Sequence, residues 1–209
     1  MAGLFGEKIN NGGAGGNFVN PNSPEALIQK HTVQYDRSRY NLLLVTGFTA
    51  INILLLAIQS GGYFLFSTYI PLVLIDTAMW LCGKYPAEEY ALYEPFEFYD
   101  SSLFIGAIVV SVIIALLYFF CFLFSGKKRV GWMITGLVFF SVDTLLMFAL
   151  GGVSANSILD IVFHAWVIVS LSLGISSHNK LKKIPVQAPA SFEEMPVAPV
   201  ESEETKNVE

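Results

Sequence analysis

The chain has 209 residues, of which 54% are hydrophobic and only 14% charged, with a formal net charge of −5. Soluble domains average nearer ~25% charged residues, and here the deficit falls in long uncharged runs, the pattern of a membrane protein. The composition excludes a strongly basic nucleic-acid face. Two cysteines, Cys82 and Cys121, are too few and too far apart for a disulfide framework or a metal motif.

Residues 1–22 are rich in Gly and Asn, which lose much entropy on ordering and bury little. They predict a disordered tail without the apolar core of a cleavable signal peptide. Ser23-Pro24-Glu25 then supplies an N-cap, a first-turn proline and an acid at the helix dipole. A juxtamembrane helix is expected over 23–40, where Tyr35, Arg37, Arg39 and Tyr40 suit a membrane interface.

A helical membrane domain is expected over 41–176. Its five apolar segments, 41–59, 63–82, 103–124, 130–150 and 158–176, each approach the ~20 residues that a hydrocarbon core requires. The second contains Pro71 and Asp76 and follows Gly61-Gly62. It either crosses fully or dips in and returns to the same face, because irregular backbone is tolerated at depth where protein buries it. Residues 177–209 begin with His178, Lys180, Lys182 and Lys183 and end in a Pro/Glu-rich stretch expected to be a disordered tail. The predicted fold class is therefore all-α: a polytopic transmembrane bundle of about five membrane helices between two disordered tails, with a full crossing by the second, which its length and the echo of Ile75-Asp76-Thr77 in Val142-Asp143-Thr144 favour, set above re-entry.

Lys127-Lys128-Arg129 and the basic run after the fifth segment place the C-terminus in the cytoplasm by the positive-inside rule. The loop over 84–100, with Glu88, Glu89, Glu94, Glu97 and Asp100 among four tyrosines, then lies outside. Such a loop is an interfacial belt with a solvated edge, or a surface for cations or a partner. A full crossing by 63–82 would put Lys30, Arg37 and Arg39 outside, whereas re-entry keeps them inside. Trp80 and Trp132 are expected at the interface, with Trp166 deeper and packed within the bundle. Ala107, Ser111 and Ala115 form a small-residue stripe for close helix packing.

Four ionisable residues lie inside the apolar runs: Asp76, Asp143, Asp160 and His164. Charge at such depth is costly and marks function or a packed polar pair. At ~1.5 Å per residue, Asp143 lies roughly 12 Å below the turn at Gly151, and His164 roughly 10 Å below its other end at Ser157. Antiparallel neighbours thus bring the two to one depth, and Asp160 shares a helix face with His164 one turn away. Asp76, roughly 12 Å from Lys84, joins that layer if the ends of its segment face the same side. The triplets Ile75-Asp76-Thr77 and Val142-Asp143-Thr144 also form a faint internal echo.

Three readings of the cluster stay open. Asp–His hydrogen bonds pin helices together, carboxylates and imidazole relay protons or cations, or the same groups ligate a metal, although no His-x-x-x-His spacing is present. A hydrolase needs a nucleophile, and Ser141, Ser154 and Ser157 are available without a Gly-x-Ser-x-Gly motif. The expected role is a non-enzymatic structural, accessory or transport-associated component. A small proton- or cation-coupled transporter comes second and a metal-dependent intramembrane hydrolase third. No cofactor is predicted. The expected partners are the lipid bilayer and a membrane protein or second copy.

At Asn41-Leu42-Leu43-Leu44-Val45, Tyr63-Phe64-Leu65-Phe66-Ser67, Val142-Asp143-Thr144 and Asp160-Ile161-Val162-Phe163-His164-Ala165-Trp166 the chain resembles small multi-pass membrane proteins of Gram-positive bacteria. The resemblance covers about 39–174. It implies a bacterial cell membrane and a compact helical bundle, and it supplies no activity.

Overall fold

A computed structural model describes residues 23–60, 66–91, 97–151 and 158–185, with 21, 62 and 93. Almost all of the N-terminal tail, the turn after Gly151 and the Pro/Glu tail lie outside the described residues. Among those described, all regular structure is helical: α1 (Pro24–Ala57), α2 (Tyr69–Leu81), α3 (Ala87–Tyr90), α4 (Ser102–Ser125), α5 (Val130–Leu146, continued by a π-helical turn over Met147–Gly151) and α6 (Ile158–Leu181). Helices α1, α4, α5 with its π turn, and α6 are long and apolar enough to cross a membrane.

The juxtamembrane segment and the first apolar segment form one continuous rod. Helix α1 starts where Ser23 Oγ accepts the Ala26 N–H at 3.2 Å, and its 34 residues extend about 51 Å at the α-helical rise. No break intervenes at residue 40, because no Gly or Pro occurs between Glu25 and Thr46 to interrupt the hydrogen bonding. The helix closes at Gln59, whose φ of 54° is the left-handed conformation common at helix ends.

Helix α1 packs along both α4 and α6. At the α6 contact, a Cβ on Gly174 would lie 2.5 Å from Ser38 Cβ, so only glycine admits this approach of the two backbones. Leu42, Val45, Tyr118, Met133, Phe140 and Val167 belong to the main core. The outward surface stays apolar, with Leu54, Ile105, Ile113, Leu145 and Val162 all at least 58% exposed. So large an apolar surface calls for a non-aqueous surrounding.

One end of the bundle gathers the basic residues. Tyr35 donates to the Ser125 carbonyl at 2.8 Å and its ring lies 5.5 Å from that of His178. Arg39 donates to the Phe122 carbonyl at 3.3 Å. These contacts bring the N-terminal half of α1 beside the ends of α4 and α6. Helix α1 therefore runs away from the basic end and α4 runs back toward it.

That direction decides the second apolar segment. Helix α2 has 13 residues, about 20 Å, which is too short for a hydrocarbon core of ~30 Å. Its start lies beside Thr49 and Asn52 of α1, inward of the α1 terminus. Its end meets the start of α4, where the Tyr99 N–H donates to the Leu81 carbonyl at 3.0 Å. The segment thus returns to the end it came from, which corrects the favoured full crossing and selects the re-entrant alternative. Ile53, Leu56, Ile75, Met79, Phe104 and Ala107 form a second core there.

The small-residue stripe is spent inside the molecule, since Ala107, Ser111 and Ala115 are buried and Ser111 faces the Pro71 carbonyl. The tyrosine-rich loop folds over the α2 terminus, with Tyr90 Oη donating to the Trp80 carbonyl at 3.0 Å and stacking edge-on with Phe98 at 4.9 Å. Trp166 corrects an expectation: it is 50% exposed and does not pack inside. Two residues beyond buried His164, it is turned about 200° around the helix, onto the outer face.

Candidate functional site

The site is the place where α2 begins. A helix leaves four backbone N–H groups unsatisfied at its start, and in the middle of an apolar bundle each must find a protein partner. For α2 these belong to Thr68, Tyr69, Ile70 and Pro71. Pro71 has no N–H, which removes one donor. The Thr68 N–H donates to Thr49 Oγ1 at 3.2 Å. The remaining two donate to Asp143 of α5, Tyr69 to Oδ2 and Ile70 to Oδ1, both at 2.8 Å. Asp143 is therefore a helix cap supplied from another helix, and its charge lies at the positive end of the α2 dipole.

The residues leading into α2 are held in the same way. The Phe66 N–H donates to Asp160 Oδ1 at 2.9 Å, Asn52 Nδ2 donates to Ser67 Oγ at 2.6 Å, and the Thr49 and Thr68 hydroxyls lie 3.0 Å apart. Phe66 has φ 77°, a strained conformation for a bulky residue. Its bond to Asp160 and the packing of its ring against Phe48 and Phe163 hold it there.

His164 joins the two aspartates. Its Nδ1 lies 2.7 Å from the Asp160 carbonyl oxygen, one turn back on α6. A carbonyl only accepts, so Nδ1 carries a hydrogen. Nε2 lies 3.3 Å from Asp143 Oδ2, on a carboxylate whose two oxygens already accept backbone donors of α2. Charge-assisted bonds usually measure ~2.7–2.9 Å, so this pair is looser than the backbone bonds at 2.8 Å. Capping is the principal role of Asp143, and His164 is its lateral support. The His164 ring also stacks on Phe140 at 4.8 Å.

Of the four candidates, the structure brings together Asp143, Asp160 and His164. It does not bring in Asp76. That residue lies seven positions beyond Tyr69, about 10 Å along α2, exposed, with its carboxylate accepting from the Tyr85 hydroxyl. The common-layer expectation fails because α2 starts at the depth of Asp143 and carries Asp76 outward. Burial, then the hydrogen bond to Asp76, raises the Tyr85 hydroxyl above its usual range, so Tyr85 remains the donor. Ser141 Oγ donates to the Leu137 carbonyl and is not turned toward the cluster, while Ser154 and Ser157 lie outside the described residues.

Thr49, Asn52, Ser67, Thr68 and Pro71 complete the site, and sequence reasoning passed over the first four. A signal existed: Ser67-Thr68, four and three residues before Pro71, is a helix-start pattern inside an apolar run, and Thr49 and Asn52 share a helix face at i, i+3. Among the described residues, no three His, Cys, Asp or Glu side chains gather into a metal-ligand set. A cavity of about 20 Å³ adjoins Ser67, Thr68, Asp160 and His164, the size of a single water. No protein-family model, curated protein or solved structure matches the chain.

Proposed function

We propose that this chain is a non-catalytic integral protein of a bacterial cell membrane, a structural, accessory or transport-associated component that crosses the bilayer four times. The Asp143–His164–Asp160 cluster is its internal brace. One observation carries this reading: the acceptors of the cluster are committed to the backbone that opens α2, and the cavity against Asp160 and His164 is water-sized. A conducting path needs ionisable groups free to exchange partners. The basic end, holding Arg39, Lys128 and Lys182, faces the cytoplasm with both termini, and a membrane protein or a second copy is its partner within the bilayer.

Two experiments test this. In a background with Cys82 and Cys121 replaced by serine, a membrane-impermeant thiol reagent applied to intact cells should label Tyr99→Cys and spare Lys30→Cys and Lys180→Cys. Labelling of Lys180→Cys inverts the orientation, and labelling of Lys30→Cys together with Tyr99→Cys restores a fifth crossing. In proteoliposomes, the parent protein should carry no proton or cation flux under either gradient, and Asp143→Asn should lower the melting temperature.

A second reading, a small proton- or cation-coupled transporter, is favoured by one feature. Helix α2 starts in mid-bundle opposite an ionisable pair, an arrangement found where broken helices build transport sites. Flux in the parent that disappears in Asp143→Asn at an unchanged melting temperature selects it.

A further inference from the structure

A larger cavity runs outward from the start of α2, without Asp143, Asp160 or His164 in its lining. It is a groove of about 710 Å³ along the outer seam between α2 and α4, walled on one side by Leu146 of α5 and Leu150 of its π turn. We infer that this groove holds one acyl chain of a membrane phospholipid. The inference rests on the reading of the chain as membrane-embedded.

The groove exists because the residues at the seam are small. Thr77 and Ala78 of α2 face Gly106 and Ala107 of α4 across it, and a Cβ built on Gly106 meets nothing within 4 Å. Its lining is almost wholly carbon, so it offers nothing to orient a polar ligand and suits a hydrocarbon. Its length fits as well. The groove follows α2 from Tyr69 to Leu81, twelve residue steps or about 18 Å, close to one leaflet of a hydrocarbon core ~30 Å thick. It runs from the depth of Asp143, beside Tyr69 and Ile70, to the α2 terminus, beside Leu81, Ser102 and Leu103. A lipid of the leaflet on that side therefore enters with its chain parallel to α2 and its headgroup at the loop.

Continuity with the surrounding bilayer favours a lipid over a protein helix. The groove lies on the apolar outer surface, where its lining residues Leu103 and Leu150 are exposed, so an acyl chain of the adjoining leaflet reaches it with no partner bound.

The test uses vesicles of phosphatidylethanolamine and phosphatidylglycerol, doped with a phosphatidylcholine bearing a diazirine on its acyl chain. After reconstitution and illumination, label should concentrate on Val73, Gly106 and Val110 over the outward α6 residues Val162 and Val169. Gly106→Phe, which fills open space, should abolish groove labelling while α6 labelling and the melting temperature stay at parental values. Val169→Phe should change neither. Equal labelling of groove and α6 overturns the proposal, as does groove labelling that survives Gly106→Phe. So does an inter-chain disulfide in a Gly106→Cys chain lacking Cys82 and Cys121, which would give the groove to a second copy. Absence of label on α6 as well overturns the membrane reading itself, a result distinct from a labelled α6 beside an empty groove.

Discussion

Asp76 and Asp143 occupy nearly identical triplets, Ile75-Asp76-Thr77 and Val142-Asp143-Thr144, yet they have little in common physically. Asp143 is 1% exposed and meets two backbone donors and an imidazole. Asp76 is exposed and meets a single tyrosine hydroxyl. The difference is position relative to the start of α2. A carboxylate in an apolar helix becomes a structural part when a neighbouring helix begins beside it, because unsatisfied N–H groups there supply what water supplies elsewhere.

The sharpest way to break this comparison is Asp143→Ala against Asp76→Ala. The first leaves two backbone donors and His164 Nε2 without their partner in the bundle interior, at a cost of about 3 kcal/mol. The second should stay within about 0.5 kcal/mol, as surface changes usually do. Unfolding in detergent measures both, and equal losses would dissolve the distinction.

The His164 contribution should be intermediate. His164→Gln is expected to cost on the order of 0.6–2 kcal/mol, since the unfolded chain in a membrane also finds polar partners. Combined with Asp143→Asn, the loss should be smaller than the sum of the single variants, because the two side chains touch. Strict additivity would remove His164 from the cap.

Thr49→Val tests the α1 side of the same start. It deletes the acceptor of the Thr68 N–H and should cost about 1 kcal/mol. Thr46→Val, one turn away, removes only a bond to its own helix carbonyl at Leu42 and should change stability by less than about 0.5 kcal/mol.

The smallest effect belongs to a third aspartate, Asp100, which caps α4 from solvent. The backbone N–H of Ser102, donating at 2.8 Å, holds its carboxyl below the usual carboxylate range. A lowered folded value gives stabilisation that is present above the ordinary carboxylate pKa and lost as pH falls through the folded one. Amide exchange at Ser102 should therefore show added opening only on acidification below that range. The same opening at neutral pH would mean that Asp100 does not cap.

Local chemistry alone was enough to read several features. Ser23 as N-cap follows from Ser-Pro-Glu. The Asp143–His164 contact follows from equal depth on either side of a tight turn, and the Asp160–His164 contact from four-residue spacing, because helical rise converts sequence distance directly into height. The four long apolar helices and the gathering of basic residues at one end belong with these. The re-entry of α2, the exclusion of Asp76 and the outward turn of Trp166 required the tertiary structure. Apolar length cannot distinguish a full crossing from a dip and return, since both bury carbon. That choice depends on whether side chains from other helices can satisfy the backbone where the helix breaks. Here the partners are Thr49, Asp143 and Asp160, 19 to 94 residues away from the atoms they bind, and only the folded bundle brings them together.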